Sequence, residues 1–292
     1  MKYTISGYST ALFSTWINIE ELNLLIDAGD GVTAGLLHKS GKIKHVFITH
    51  PDRDHLTGLP QFVQLNSREG YPKIYYPKDA GSFPAMHNFL TKFDPHVSAS
   101  EWIGIEDRSE IEIKNNVYVQ ALRNEHVKAP KGIHKSLSYK VIEVKNKLKA
   151  EYRSKSEQEI KAIIRHSGKE SLIEQHKTTL LSLSGDTPVD DYDKWDGSEI
   201  LIHESTFLEK EEDANFEFKA NKHSSLEEVI KMVSEINVQQ LILTHFSSRY
   251  SKEEIDCAVL KLLKSYAVKI PVYLIYPGEL QRDILNNCPI NA

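Results

Sequence analysis

Residues 48–59 read ITHPDRDHLTGL, and within them His50, Asp52, Asp54 and His55 fall in six consecutive positions directly after the apolar run IKHVFIT. That run has the length and β-branching of a short buried strand, while Gly58 and Pro60 beyond the cluster read as a turn and a helix start. The polar cluster therefore lies on a loop at the carboxyl end of a strand. In open α/β sheets that edge is where ligands bind, because the strand fixes the base of the loop and leaves its tip free for chemistry. Imidazole nitrogens and carboxylate oxygens at this density point to zinc or a neighbouring divalent metal, against the plainer alternative of a solvated polar loop.

Other apolar runs end in the same residue types. VYVQALRNEH reaches His126, TLLSLSGDT contains Asp186, EILIHEST contains His203 and Glu204, and LILTHFSSRY contains His245. One histidine at a strand end is usually structural, but repetition after successive strands favours a shared site. If these ends converge, His50, Asp52, Asp54, His55, His126, Asp186 and His245 suffice for two ions sharing a carboxylate. A pair of ions about 3.5–4 Å apart polarises a phosphoryl group and lowers the pKa of water between them.

The 292 residues can bury a large core, and 40% hydrophobic with 26% charged residues is ordinary globular composition. No apolar run approaches the roughly 18 residues of a membrane span, and MKYTISGYSTALF lacks a secretory pattern. Cys257 and Cys288 cannot make a disulfide framework, which suits a reducing cytoplasm. A formal net charge of −5 excludes a uniformly nucleic-acid-gripping surface, yet Lys140 to Lys177 carries ten Lys or Arg against six Glu. That local excess reads as a basic patch or as a solvated helical face.

Strands are expected at residues 22–27, 45–49, 73–77, 117–122, 139–144, 179–184, 199–204, 241–245 and 272–276. Capping-box pairs Ser156/Glu159, Ser225/Glu228 and Ser251/Glu254 each precede apolar residues at helical spacing. Strands dominate the first half and alternate with helices in the second, so two sheets flanked by helices are expected in one domain spanning 1–292, with a basic helical arm at about 145–176.

LLIDAGDGV, ITHPDRDH, SGDT, HESTF with the later KHSS, and LTHFSSRY resemble, in order and spacing, the metallo-β-lactamase-fold phosphodiesterases called ribonuclease Z or tRNase Z. SGYSTALFSTW and KNKLKAEYRSKSEQEIKAI resemble the short form found in Thermotoga and plants. The resemblance implies an αββα sandwich, usually a homodimer, that cuts precursor tRNA on its 3′ side and leaves a 3′ hydroxyl on the tRNA. It implies that His50, His126 and Asp186 hold one metal, and that Asp54, His55, Asp186 and His245 hold the other. Asp54 would also orient or deprotonate water, and His223, held by Glu204, would protonate the leaving oxygen. Asp27 would support the metal loop, and His203 would be a buried strand residue.

The family loop reads His-x-His-x-Asp-His, so Asp52 stands where a second histidine is expected. Two divalent ions, zinc in the first instance, remain the expected cofactors, with manganese or iron(II) made more competitive by the harder oxygen. Arg53 either offsets the added charge or reaches a substrate phosphate. His126 fits the third ligand better than His134 because it directly follows its strand. The long Gly- and Pro-rich arm of other bacterial ribonuclease Z enzymes is missing, and Lys145, Lys147, Lys149 and Arg153 are expected to contact tRNA phosphates instead. Two other readings compete: a binuclear phosphodiesterase for small substrates such as cyclic nucleotides, and a non-catalytic RNA-binding relative.

Overall fold

A strand presents alternate side chains to opposite faces, so a strand apolar on both faces must lie between two layers. The computed structural model, which describes residues 3–208 and 222–292, shows this in both of its sheets. The first sheet runs in chain order: β1 (Ile5–Thr10), β2 (Ser14–Ile19), β3 (Leu24–Ile26), β4 (His45–Phe47), β5 (Lys73–Pro77) and β6 (Glu101–Ile105). The second holds β7 (Glu110–Lys114), β8 (Val117–Arg123), β9 (Leu137–Leu148), β10 (Ile173–Leu183), β11 (Ser198–Glu204), β12 (Val238–Thr244) and β13 (Val272–Leu274), in spatial order 13-12-11-10-9-8-7. Leu24, Ile26 and Phe47 meet Tyr139, Leu181, Ile202 and Ile242 in a core between the sheets. Their neighbours Leu25 and Val46 face the other way, under α1 (Val32–Leu36), α3 (Leu59–Asn66) and α4 (Ser82–Phe93). Leu201 and Leu243 likewise turn outward, under α6 (Leu226–Glu235) and α7 (Lys252–Ser265). Three apolar layers separate four layers of structure, the αββα sandwich.

The capping boxes form as read. Ser225 accepts from the Glu228 N–H at 3.4 Å and the Glu228 carboxylate accepts from the Ser225 N–H at 3.2 Å, after which Leu226, Val229, Ile230 and Val233 are buried. Ser251/Glu254 opens α7 and Ser156/Glu159 opens α5 (Glu157–Ser167) in the same way.

The basic segment is only partly helical. β9 pairs with β10 antiparallel from Tyr139↔Leu183 to Leu148↔Ile173, whereas β8 reaches β9 only as far as Glu143 and β11 reaches β10 only from Thr179. Residues 145–148 and 173–176 therefore pair with each other alone, as a ribbon projecting beyond the sheet and crowned by α5. No residue of α5 is buried; its helix rests on the capping box and on the Lys161–Glu157 pair at 2.6 Å. At the opposite edge the carboxyl ends of β3, β4, β8, β10, β11 and β12 lead into residues 27, 50, 126, 186, 204 and 245, which the sandwich gathers into one place.

Candidate metal centre

The loop after β4 turns through Asp52 into a single helical turn, α2 (Arg53–Leu56). It is fastened to the loop after β3 by backbone bonds from Ala28 N–H to His55 C=O at 2.8 Å and from Gly58 N–H to Ala28 C=O at 2.9 Å. The approach is too close for side chains: a Cβ on Gly29 would stand 2.3 Å from the Asp54 carbonyl oxygen, and one on Gly58 2.2 Å from that of Gly29. Asp27 and His245 hold left-handed backbone angles, φ 57° and 62°, a strain typical of residues aimed by function.

Asp54, His55, Asp186 and His245, all buried, each offer a donor atom, and these atoms lie within 4.8 Å of one another. His50, Asp52 and His126 form a second such group. Asp186 lies between the two: its Oδ2 is 3.4 Å from Nε2 of His55 and of His245, and 3.7 Å from Nε2 of His50. His134, by contrast, sits apart, its Nδ1 accepting from the Asp107 N–H and its Nε2 3.8 Å from Glu106.

Each of the four rings is held by its far nitrogen. His55 Nδ1–H donates to Asp27 at 2.7 Å, and His126 Nδ1–H to the Lys222 carbonyl at 3.0 Å; both partners can only accept. Thr49 Oγ1 donates to Asp27, so it accepts from His50 Nδ1–H at 2.9 Å. Thr206 Oγ1 donates to Glu204 at 2.5 Å, so it accepts from His245 Nδ1–H at 2.9 Å. All four rings thus turn Nε2 toward the carboxylates, the tautomer a metal ligand requires. The Nε2 atoms of His50, His55 and His245 are buried with no hydrogen-bond partner, which is what a pair of cations would satisfy.

The carboxylates dominate the electrostatics: burial disfavours charge on His55, yet Asp186 and Asp27 raise its pKa well above the usual value, so a cation there would displace a proton. Burial opposes charge on Asp186, but His245, His55 and His50 around it hold its carboxyl well below the usual range. Burial also opposes charge on Asp54, but the neighbouring His245 and His55 outweigh it and push its pKa down. His50 is pushed well down by burial and by the neighbouring His55 and His126, leaving it neutral and able to bind metal.

Beside this cluster, His223 Nδ1 stands 3.1 Å from Glu204 Oε1 and 3.8 Å from Asp186 Oδ2. Glu204 is fixed from behind by the Thr187 N–H at 2.8 Å. Burial disfavours the imidazolium, yet the Glu204 charge and hydrogen bond, with Asp186, outweigh it and lift the His223 pKa to about 9. His203 is buried in β11 with its Nδ1 on the Glu204 carbonyl, a structural role.

The sandwich does not bring the four basic candidates to this centre. Lys145 and Lys147 lie on the ribbon part of β9, with Lys149 and Arg153 just beyond. Lys145 pairs with Glu143 at 2.6 Å, Lys149 Nζ holds the Ser171 carbonyl at 2.7 Å, and Arg153 lies 3.8 Å from Glu174. Four contributors escaped the sequence reading: Thr49, Thr206, the Leu12 N–H that donates to Asp54 at 3.0 Å, and the Lys222 carbonyl. For Thr206 a signal existed, a hydroxyl two residues after Glu204; the two backbone groups leave none.

Fold and donor set together define a hydrolase of the metallo-β-lactamase fold with a binuclear divalent metal site. Residues 22–149 match the family described as Beta-lactamase superfamily domain. Ribonuclease Z of Methanocaldococcus jannaschii is 30% identical over 291 residues, covering 89% of each chain, and a chloroplastic tRNase Z of Arabidopsis thaliana is 29% identical over 92% of this chain and 74% of its own. The chain belongs to the ribonuclease Z family and is a metal-dependent hydrolase. Human tRNase Z, short form, superposes with a TM-score of 0.58 over 95% of this chain and 98% of that one at 17% identity. The Bacillus subtilis metallo-β-lactamase-fold protein YhfI gives 0.63 at 14% identity, covering 95% and 98%.

Proposed function

We propose that this chain is a binuclear metal-dependent endoribonuclease that removes the 3′ trailer of precursor tRNA. The observation that carries the reading is the His223–Glu204 pair at 3.1 Å beside two adjoining donor groups whose rings are all preset for metal. A binding protein needs no such proton donor. His50, Asp52 and His126 would hold one ion and Asp54, His55 and His245 the other, with Asp186 between them. Bound there, divalent ions polarise the scissile phosphate and make water a competent nucleophile near neutral pH. Asp54, with its carboxyl kept ionised, orients the attacking water and accepts its proton. The P–O3′ bond breaks, His223 delivers a proton to the departing O3′, and Glu204 stabilises the imidazolium beforehand. The tRNA keeps a 3′ hydroxyl and the trailer keeps the phosphate.

Zinc is the proposed resident ion, with manganese or iron(II) favoured relatively by the Asp52 oxygen. The ribbon and α5 extend the same domain and supply the RNA-binding surface, where Lys147 and its neighbours meet phosphates without reading sequence. The proposal includes a homodimer, for which the exposed, mutually stacked Phe89 and Phe93 of α4 offer an apolar surface, and a cytoplasmic setting, with which two exposed unpaired cysteines agree. Among the described residues no helix is long and apolar enough to cross a membrane.

The test is cleavage of a precursor tRNA by metal-free protein reconstituted with zinc, manganese or iron(II), with the product ends mapped and a cyclic nucleotide assayed in parallel. A single cut yielding a 3′ hydroxyl supports the reading. Turnover of the cyclic nucleotide alone would transfer the site to small phosphodiesters.

A further inference from the structure

The two donor groups are alike in chemistry and unlike in construction. With Asp52 in place, each position has two imidazoles, one carboxylate of its own and a share of Asp186. Differences between them must therefore come from burial and anchoring. At the inner position, Asp54 is tied to the Leu12 N–H at 3.0 Å, and His55 and His245 are held by Asp27 and Thr206. All four of its donors are buried before any ion arrives.

At the outer position His50 and His126 are equally fixed, but the Asp52 side chain is 55% exposed. Its Oδ2 reaches only ring nitrogens among the described residues, His126 at 3.4 Å and His50 at 3.7 Å. Asp52 is also the N-cap residue of α2, where an aspartate ordinarily accepts a helix N–H, and it makes no such bond. Its carboxylate is turned to the ring pair instead. Ordering an exposed side chain and stripping its water both work against binding at this position.

Resting on the binuclear reading above, we infer that the two positions fill in order: the inner position holds its ion tightly, and the outer position is an exchangeable site whose occupancy is set by Asp52. The doubly loaded enzyme then exists only above a threshold of free metal, so activity follows metal supply. The singly loaded form is a stable species, not a preparation artefact.

The test is titration of the metal-free 292-residue chain with manganese(II), reading free ion from its electron paramagnetic resonance signal. Two classes of site are expected, with dissociation constants at least about tenfold apart. Asp52→Asn should weaken the second class by about tenfold or more and leave the first within twofold; Asp54→Asn should weaken the first. A single class of two equivalent ions, or an Asp52→Asn variant that shifts both classes together, would overturn the inference while leaving the binuclear site standing. No uptake by a chain whose circular dichroism shows it folded would overturn the binuclear reading and this inference with it.

Discussion

Asp27 is buried, belongs to neither donor group, and yet decides which nitrogen of His55 turns toward the carboxylates. One oxygen accepts from the Thr49 N–H at 2.7 Å and the other from His55 Nδ1–H at 2.7 Å, with Thr49 Oγ1 within 3.0 Å of both. Replacing it with asparagine preserves size and tolerance of the left-handed backbone, but an amide has one accepting end where two are needed. If its oxygen serves Thr49, its NH₂ meets His55 Nδ1, and the ring must move its proton to Nε2, the position the metal uses. If it flips, the buried Thr49 N–H loses its acceptor at a cost of about 1–3 kcal/mol. Loss of such an outer contact typically weakens a metal site about 10–100-fold. Asp27→Asn is therefore expected to lower inner-site affinity by that factor and to destabilise the metal-free fold by about 1–3 kcal/mol, read by metal titration and urea unfolding respectively. Inner-site affinity within twofold of wild type, in a variant whose unfolding midpoint has fallen, would refute the tautomer argument, since the contact would then be structural alone.

His223→Ala is expected to slow tRNA cleavage by about 10²–10⁴-fold but barely to affect bis(p-nitrophenyl) phosphate, whose leaving group needs no proton; equal loss on both would remove His223 from the acid role. Replacing Lys145, Lys147, Lys149 and Arg153 together with glutamine should raise the KM for precursor tRNA and leave the small ester unchanged. Three of those groups already have partners, so the salt dependence of RNA binding should lose about 1–3 units of slope, not four full phosphate contacts; an unchanged slope would move the RNA elsewhere. His45, pushed down to about 4 by burial and by Lys73 and Lys44, is far from the centre and reports on stability. Its folded pKa lies below its unfolded one, so the stability it contributes is complete above about 6.5 and is lost as pH falls toward 4. In His45→Phe the fall in unfolding free energy between pH 7 and pH 4.5 should shrink, and an identical fall would exclude this histidine as its source.

Nine of the thirteen strands among the described residues were legible as apolar, β-branched runs, and the three capping boxes announced α5, α6 and α7. The strands that were not read fail that pattern for physical reasons. β1 and β2 carry Ser6, Ser9, Thr10, Ser14 and Thr15, buried polar groups that a run-seeking eye takes for loop. β7 alternates Glu110, Ile111, Glu112 and Ile113 on an edge with one wet face. α4 is preceded by Gly81, an N-cap residue with no side chain to bond, so no capping pair marks its start. At the centre, side chains that would face metal were visible as recurring His and Asp, whereas their supports were not. A carbonyl at Lys222 or an N–H at Leu12 has no letter of its own; only the folded chain shows where it points.

The ribbon on β9 and β10 sets a distance. β10 runs the eleven residues from Ile173 to Leu183 before reaching the Asp186 loop, which at a rise of about 3.3 Å per residue is about 36 Å. A hydrogen-bonded pair of strands keeps that span far better than a flexible tether would. If the ribbon grips RNA, this molecule is a pair of callipers: one jaw closes on a phosphate backbone, the other cuts, and the frame between them admits only a substrate whose own rigid body spans the same gap. An isolated single-stranded RNA with the right sequence at the cut would lack that span, and a folded RNA with the wrong sequence could possess it.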